Sequence, residues 1–212
     1  MMTISIRYSA LAVLVLAHFV CAPSAAAQSK AAAAGCAMRE AASWDPNRSG
    51  ARGPRLAPLR IEAVSSGARC QTALVVLTIK SSVGAVLYRE TYRADQVMGL
   101  NMATNRAQMR TQLRAWIGSH GTTSRGITSR GITSRGDENF HQNLPAWPRG
   151  ASEPEDREFP FRPAEAITRT QYNAVIANRT PVYCYVQGME SLNCLMLRAG
   201  TLVPFGIQSF PG

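Results

Sequence analysis

VYCYVQGMESLNCLMLRAGTLVPFGIQ, residues 182–208, is the stretch that decides the fold. It holds three apolar runs, Val182–Gln187, Leu192–Leu197 and Leu202–Gln208, each of strand length. Gly188-Met189-Glu190 and Arg198-Ala199-Gly200-Thr201 separate them and supply turn chemistry. A three-residue turn at 188–190 pairs Gln187 with Ser191 and Tyr185 with Asn193. It therefore sets Cys184 opposite Cys194, at a Cα separation that a disulfide can bridge.

A second set of strands lies upstream. Leu59–Val64 (LRIEAV) alternates apolar and polar, the period of a half-buried strand. Thr72–Ile79 (TALVVLTI) is β-branched and apolar on both faces, which predicts a central strand. Ala85–Tyr92 (AVLYRETY) follows the Ser81–Gly84 turn. Between the two sets, Asn101–Ile117 reads as the main helix, with Met102, Met109, Leu113, Trp116 and Ile117 on one face. A short helix from Arg169 to about Ala177 opens on a capping box, Thr168 with Gln171, and on an Ile167–Tyr172 staple. The sequence thus predicts an α+β fold. Its antiparallel sheet has about six strands, as two three-stranded meanders, with one main amphipathic helix and one short helix.

The ends and the middle read differently. Residues 1–27 have the order of a secretory signal: Arg7, the apolar run Ala10–Cys21, then Ala25-Ala26-Ala27 ahead of Gln28. Cleavage after Ala27 removes Arg7 and Cys21. The bulky His18-Phe19-Val20 before Cys21 argues against lipidation. Residues 28–57 read as an N-terminal arm with a short helical piece near Met38–Trp44. Residues 58–209 read as a single domain, interrupted at 118–162 by a disordered repeat and a proline-rich loop. That insertion contains the tandem Ser124–Thr128 and Ser129–Thr133 copies and a proline-rich stretch, 140–163. The repeat carries glycine, arginine and one isolated isoleucine per unit, too little apolar surface to fold. The proline-rich stretch reads as a solvated loop, or as an ordered cover if Trp147, Phe159 and Phe161 pin it. Arg135-Gly136-Asp137 spells an adhesion tripeptide only where the repeat breaks off.

Four cysteines survive cleavage: Cys36, Cys70, Cys184 and Cys194. An even count in an exported chain predicts two disulfides, and position favours Cys36–Cys70 and Cys184–Cys194. No Cys-x-x-Cys and no nearby histidine gives them metal or redox spacing.

The 212-residue chain has 23 basic against 13 acidic residues, a formal charge of +10, and 46% hydrophobic residues. Only Lys30 and Lys80 are lysine, and this arginine and alanine usage fits a GC-rich bacterial genome. Beyond the N-terminus no apolar run is long enough to span a bilayer. Arg106, Arg110 and Arg114 form a row along the main helix. The row reads as an anion-binding face or as an ordinary solvated one.

Catalytic fingerprints are missing: no Gly-x-Ser-x-Gly, Ser-x-x-Lys, His-Glu-x-x-His or phosphate loop, and no cofactor fingerprint. His120 and His141 lie beside the repeat and the proline-rich stretch. Glu62, Glu90 and Glu190 lie on or beside strands as the candidate carboxylates. The expectation is a periplasmic or secreted envelope protein that binds or packs against an anionic envelope component or acidic protein, without catalysis and without specific nucleic-acid recognition. The alternative is a small exported hydrolase using carboxylates or a cryptic metal.

Overall fold

The structure, a computed structural model, describes residues 35–49, 54–118, 144–155 and 159–209. The expected signal, the tandem repeat, His120 and His141 lie outside the described residues. Two antiparallel four-stranded sheets carry the fold. The first holds β1 (Met38–Trp44), β2 (Leu59–Ser66), β3 (Leu74–Lys80) and β4 (Val86–Arg93), in that order. The second holds β5 (Phe161–Pro163), β6 (Val182–Val186), β7 (Ser191–Arg198) and β8 (Thr201–Ser209), in the order β5-β8-β7-β6. The α+β class stands, but each expected meander gains a fourth strand.

Both added strands come from stretches with weak strand character. Met38–Trp44 (MREAASW), expected as a helical piece of an N-terminal arm tied down by Cys36, is β1. Its composition suits a helix, but pairing decides for the strand. The Cys36–Cys70 disulfide anchors its start, and Cys36 N–H donates to the Gly67 carbonyl at 2.8 Å. Ser65 Oγ also donates to the Cys36 carbonyl, at 2.7 Å. β5 lies in the proline-rich stretch. Pro163 has no N–H to give a ladder, and β5 accordingly sits at a sheet edge. Residues 144–155 and 159–162 belong to the proline-rich stretch, which reads as a solvated loop or an ordered cover, and they are placed against the fold. Leu144 and Phe161 are buried, and the Trp147 ring meets Tyr172 edge-on.

The main helix α1 (Arg106–Gly118) starts later than expected. Leu100–Met102 forms a separate 3-10 turn, and Met102 is 68% exposed instead of lying on the apolar face. Asn105 Oδ1 accepts from the Gln108 N–H at 3.0 Å, so the chain is capped there and cannot continue the earlier turn as one helix. The short helix α2 (Arg169–Asn178) carries the Thr168–Gln171 capping box, with Ile167 and Tyr172 both buried.

The core has two parts. Ile61, Ala63, Val75, Leu77 and Ile79 face Met109, Leu113 and Ile117 of α1 and Tyr183, Tyr185 and Leu195 of the second sheet. On that sheet's other side, Cys184, Cys194, Met196 and Phe205 meet Tyr172, Val175 and Phe161. The second sheet is therefore covered on both faces, which is why VYCYV is an unbroken apolar run. Among the described residues, no further layer packs on the outer face of the first sheet, where Val64 and Val76 are half-buried. β3 is central by pairing, but its outer face is not buried as its apolar composition suggested, and Leu74 is 49% exposed.

Candidate functional site

The sheets meet at a cluster of phenols. Tyr88 and Tyr92 are four residues apart on β4 and so share a face. Tyr185 comes from β6. Its hydroxyl lies 2.7 Å from that of Tyr88 and 2.6 Å from that of Tyr92, and Asn193 Nδ2 donates to it at 3.0 Å. Trp116 stands edge-on to both Tyr92 and Tyr185, and its indole N–H donates to the Val186 carbonyl at 2.7 Å. Burial pushes all three phenols above their usual range, most of all Tyr185. They hold their protons near neutral pH, so the cluster is a hydrogen-bonded strut between sheets and supplies no general base.

The three candidate carboxylates do not converge. Glu62 pairs across the ladder with Thr78, and Glu90 with Leu77. These are successive positions on β3, so the two acids point to opposite faces of the first sheet. Glu190 is exposed in the β6–β7 turn of the other sheet. Glu62 accepts from Lys80 Nζ at 2.9 Å and from Arg60 Nε at 2.8 Å. The Lys80 hydrogen bond, opposed by burial and aided by Arg60, holds its carboxyl below the usual range. Among the described residues, no group of histidine, cysteine or acidic side chains has metal-holding geometry.

The arginine row of α1 lies against β1. Arg110 Nε is 3.5 Å from Glu40 Oε1, and Arg114 donates to Glu40 Oε2 at 3.2 Å. Arg106 Nε reaches Met38 Sδ at 3.5 Å. Two of the three guanidiniums thus share one carboxylate of the same chain. Glu40 was hidden as a partner in the sequence because the 38–44 stretch read as helical.

Among the described residues, the outer face of the first sheet carries no covering layer. The ladder registers align Arg39, Val64, Val76 and Thr91 in one row and Ala41, Glu62, Thr78 and Arg89 in the next. A third row aligns Ser43, Arg60, Lys80 and Val86. Arg39 and Arg89 are exposed and have no ion-pair partner among the described residues, whereas Arg93 is tied to Asp95 at 2.6 Å. This face displays cations around a strip of aliphatic side chains. Alternation along Leu59–Val64 already put Arg60 and Glu62 on one side. The addition of Arg39, and the lack of a covering layer among the described residues, are tertiary facts. Two shallow clefts lie elsewhere: about 300 Å³ beside Arg69, Cys70 and Arg106, and about 230 Å³ between α2 and β7.

Both cysteine pairs are bonded, Cys36 to Cys70 and Cys184 to Cys194, with Cα separations of 5.0 and 4.0 Å. Cys184 and Cys194 stand directly opposite in the β6–β7 ladder, and Gln187 N–H donates to the Ser191 carbonyl at 3.1 Å. No described helix is long and apolar enough to cross a membrane. The chain matches no protein-family model, no curated protein sequence and no solved structure.

Proposed function

We propose that this chain is an exported, disulfide-stapled protein of the bacterial envelope, periplasmic or secreted, that works by binding an envelope component and not by catalysis. The observation that carries the reading is the pair of buried disulfides, each closing a loop within the chain. Such bonds persist in oxidising compartments and are rare in the cytosol. All four cysteines outside the leader are used as staples, which leaves no thiol among them for redox or metal work. The signal-like order of residues 1–27 supports the same destination. The uncovered cationic sheet face supports a binding role, since a net positive chain attracts anionic surfaces at long range.

The test is fractionation of expressing cells, followed by N-terminal sequencing and thiol titration of the recovered protein. The expected result is a chain starting at Gln28, outside the cytoplasm, with no titratable thiol after unfolding. Retention of residues 1–27 in a cytoplasmic, thiol-bearing protein overturns the reading.

A further inference from the structure

We infer that the outer face of the first sheet, led by the tip of the β3–β4 hairpin, docks on an anionic lipid bilayer. This rests on the envelope reading above and gives it a surface and a partner. The hairpin tip is tightly closed. Ser81 N–H donates to the Ala85 carbonyl at 2.8 Å, Gly84 N–H to the Ser81 carbonyl at 2.9 Å, and Ala85 N–H to Ser81 Oγ at 3.1 Å. Gly84 has φ of +88°, a conformation that a side chain would strain. This closed loop presents Val83 at 89% exposure, the most exposed large apolar side chain among the described residues, and Val86 beside it at 56%. A tip already ordered in water loses little conformational entropy when it inserts into the headgroup region.

Charge selects the partner. Lys80 and Arg60 flank the tip, and Arg89 and Arg39 lie further along the same face. Among the described residues, the acids on or beside this face are Glu62, held by Lys80 and Arg60, and Asp95, held by Arg93. Among the described residues, no carboxylate pairs with Arg39 or Arg89. A second copy of the chain would bring like charges together across the same strip, so self-association through this face is disfavoured. A soluble polyanion would engage the arginines but leave Val83 and Val86 in water. An anionic bilayer satisfies both, with lipid phosphates at the arginines and the acyl boundary at the valines. Guanidinium forks suit such phosphates by bidentate hydrogen bonding.

The experiment is co-sedimentation of the purified protein with vesicles of phosphatidylglycerol and phosphatidylethanolamine, against vesicles of phosphatidylcholine alone. Binding is expected to the first, to fall with added salt, and to be weak to the second. Arg39→Gln with Arg89→Gln should lower the partition coefficient about 25-fold, at about fivefold for each charge near an anionic surface. Val83→Ser should lower it about fivefold through lost apolar insertion. All three side chains are exposed, so the variants should melt with the parent, and matched melts confirm that the loss is one of docking. The proposal is overturned if vesicle charge makes no difference, or if the variants bind as the parent does. It is also overturned if soluble polyphosphate binds the face while the charged vesicles do not. An exported, correctly processed protein that ignores the vesicles refutes the surface alone. A cytoplasmic, unprocessed chain refutes the envelope reading, whatever the vesicles show.

Discussion

Tyr185→Phe removes one oxygen from the centre of the phenol cluster and should cost more than its size suggests. The Tyr185 ring is almost fully buried, and its hydroxyl serves Tyr88, Tyr92 and Asn193 together. A hydroxyl has one proton to donate and two lone pairs, so those three partners saturate it. Each hydrogen bond is worth about 0.5–1.5 kcal/mol net, and a buried group left without a partner costs about 1–3 kcal/mol. Tyr88 and Tyr92 are half-buried and can turn to water. Asn193 keeps only a 3.4 Å contact with Tyr88. The expected loss is about 2–4 kcal/mol. In a chain of this size that is roughly 5–15 °C in Tm. Tyr88→Phe, at the rim, should cost about 1 kcal/mol. Combining Tyr185→Phe with Tyr92→Phe should be less costly than the two changes added, because they share one hydrogen bond. Urea melts of the parent, the three single variants and the double variant measure these differences. Equal costs for Tyr185→Phe and Tyr88→Phe, or strict additivity in the cycle, would refute the claim that Tyr185 is the hub.

Three further expectations follow from the same geometry. Glu62 is held below its ordinary pKa of 4.5, so its contribution is present above that pH and lost as pH falls through the lowered value. Glu62→Gln should cost about 1 kcal/mol at neutral pH, and should flatten the acid limb of a stability–pH curve from chemical melts. Cys184→Ser with Cys194→Ser opens a bridge of sequence separation 10, and the loop-entropy estimate for so short a loop is about 2–3 kcal/mol. Urea melts should show that loss, with unreduced peptide mapping of the parent recovering Cys184 joined to Cys194. Gly206→Ala places a Cβ 2.5 Å from the Arg162 carbonyl oxygen and 2.6 Å from the Phe161 ring. It should detach β5 and cost roughly 1–3 kcal/mol, read as faster proteolysis between residues 159 and 163; an unchanged digest would show that β5 tolerates the displacement.

Local chemistry was enough for some of this molecule. The β6–β7 register follows from the ten-residue spacing of Cys184 and Cys194 around a turn, because side chains alternate with a period of two. The start of α2 follows from Thr168 and Gln171, because a capping box closes within four residues. Other features are non-local. Met38–Trp44 has no strand signal of its own, and it becomes β1 because a disulfide and the open edge of β2 take it up. Phe161–Pro163 becomes β5 because Gly206 leaves room for its backbone. The apolar run of β3 foretold burial on both sides, yet one side is open, since hydrophobic content does not say how many layers the chain will build. Arg110 and Arg114 read as free cations until β1 brought Glu40 beneath them. Residue types and their spacing determined β2–β4, β6–β8, the staples and the cap of α2 by themselves. Which faces meet, and which face no other described element packs on, was decided only when long-range pairing chose the order of strands in each sheet.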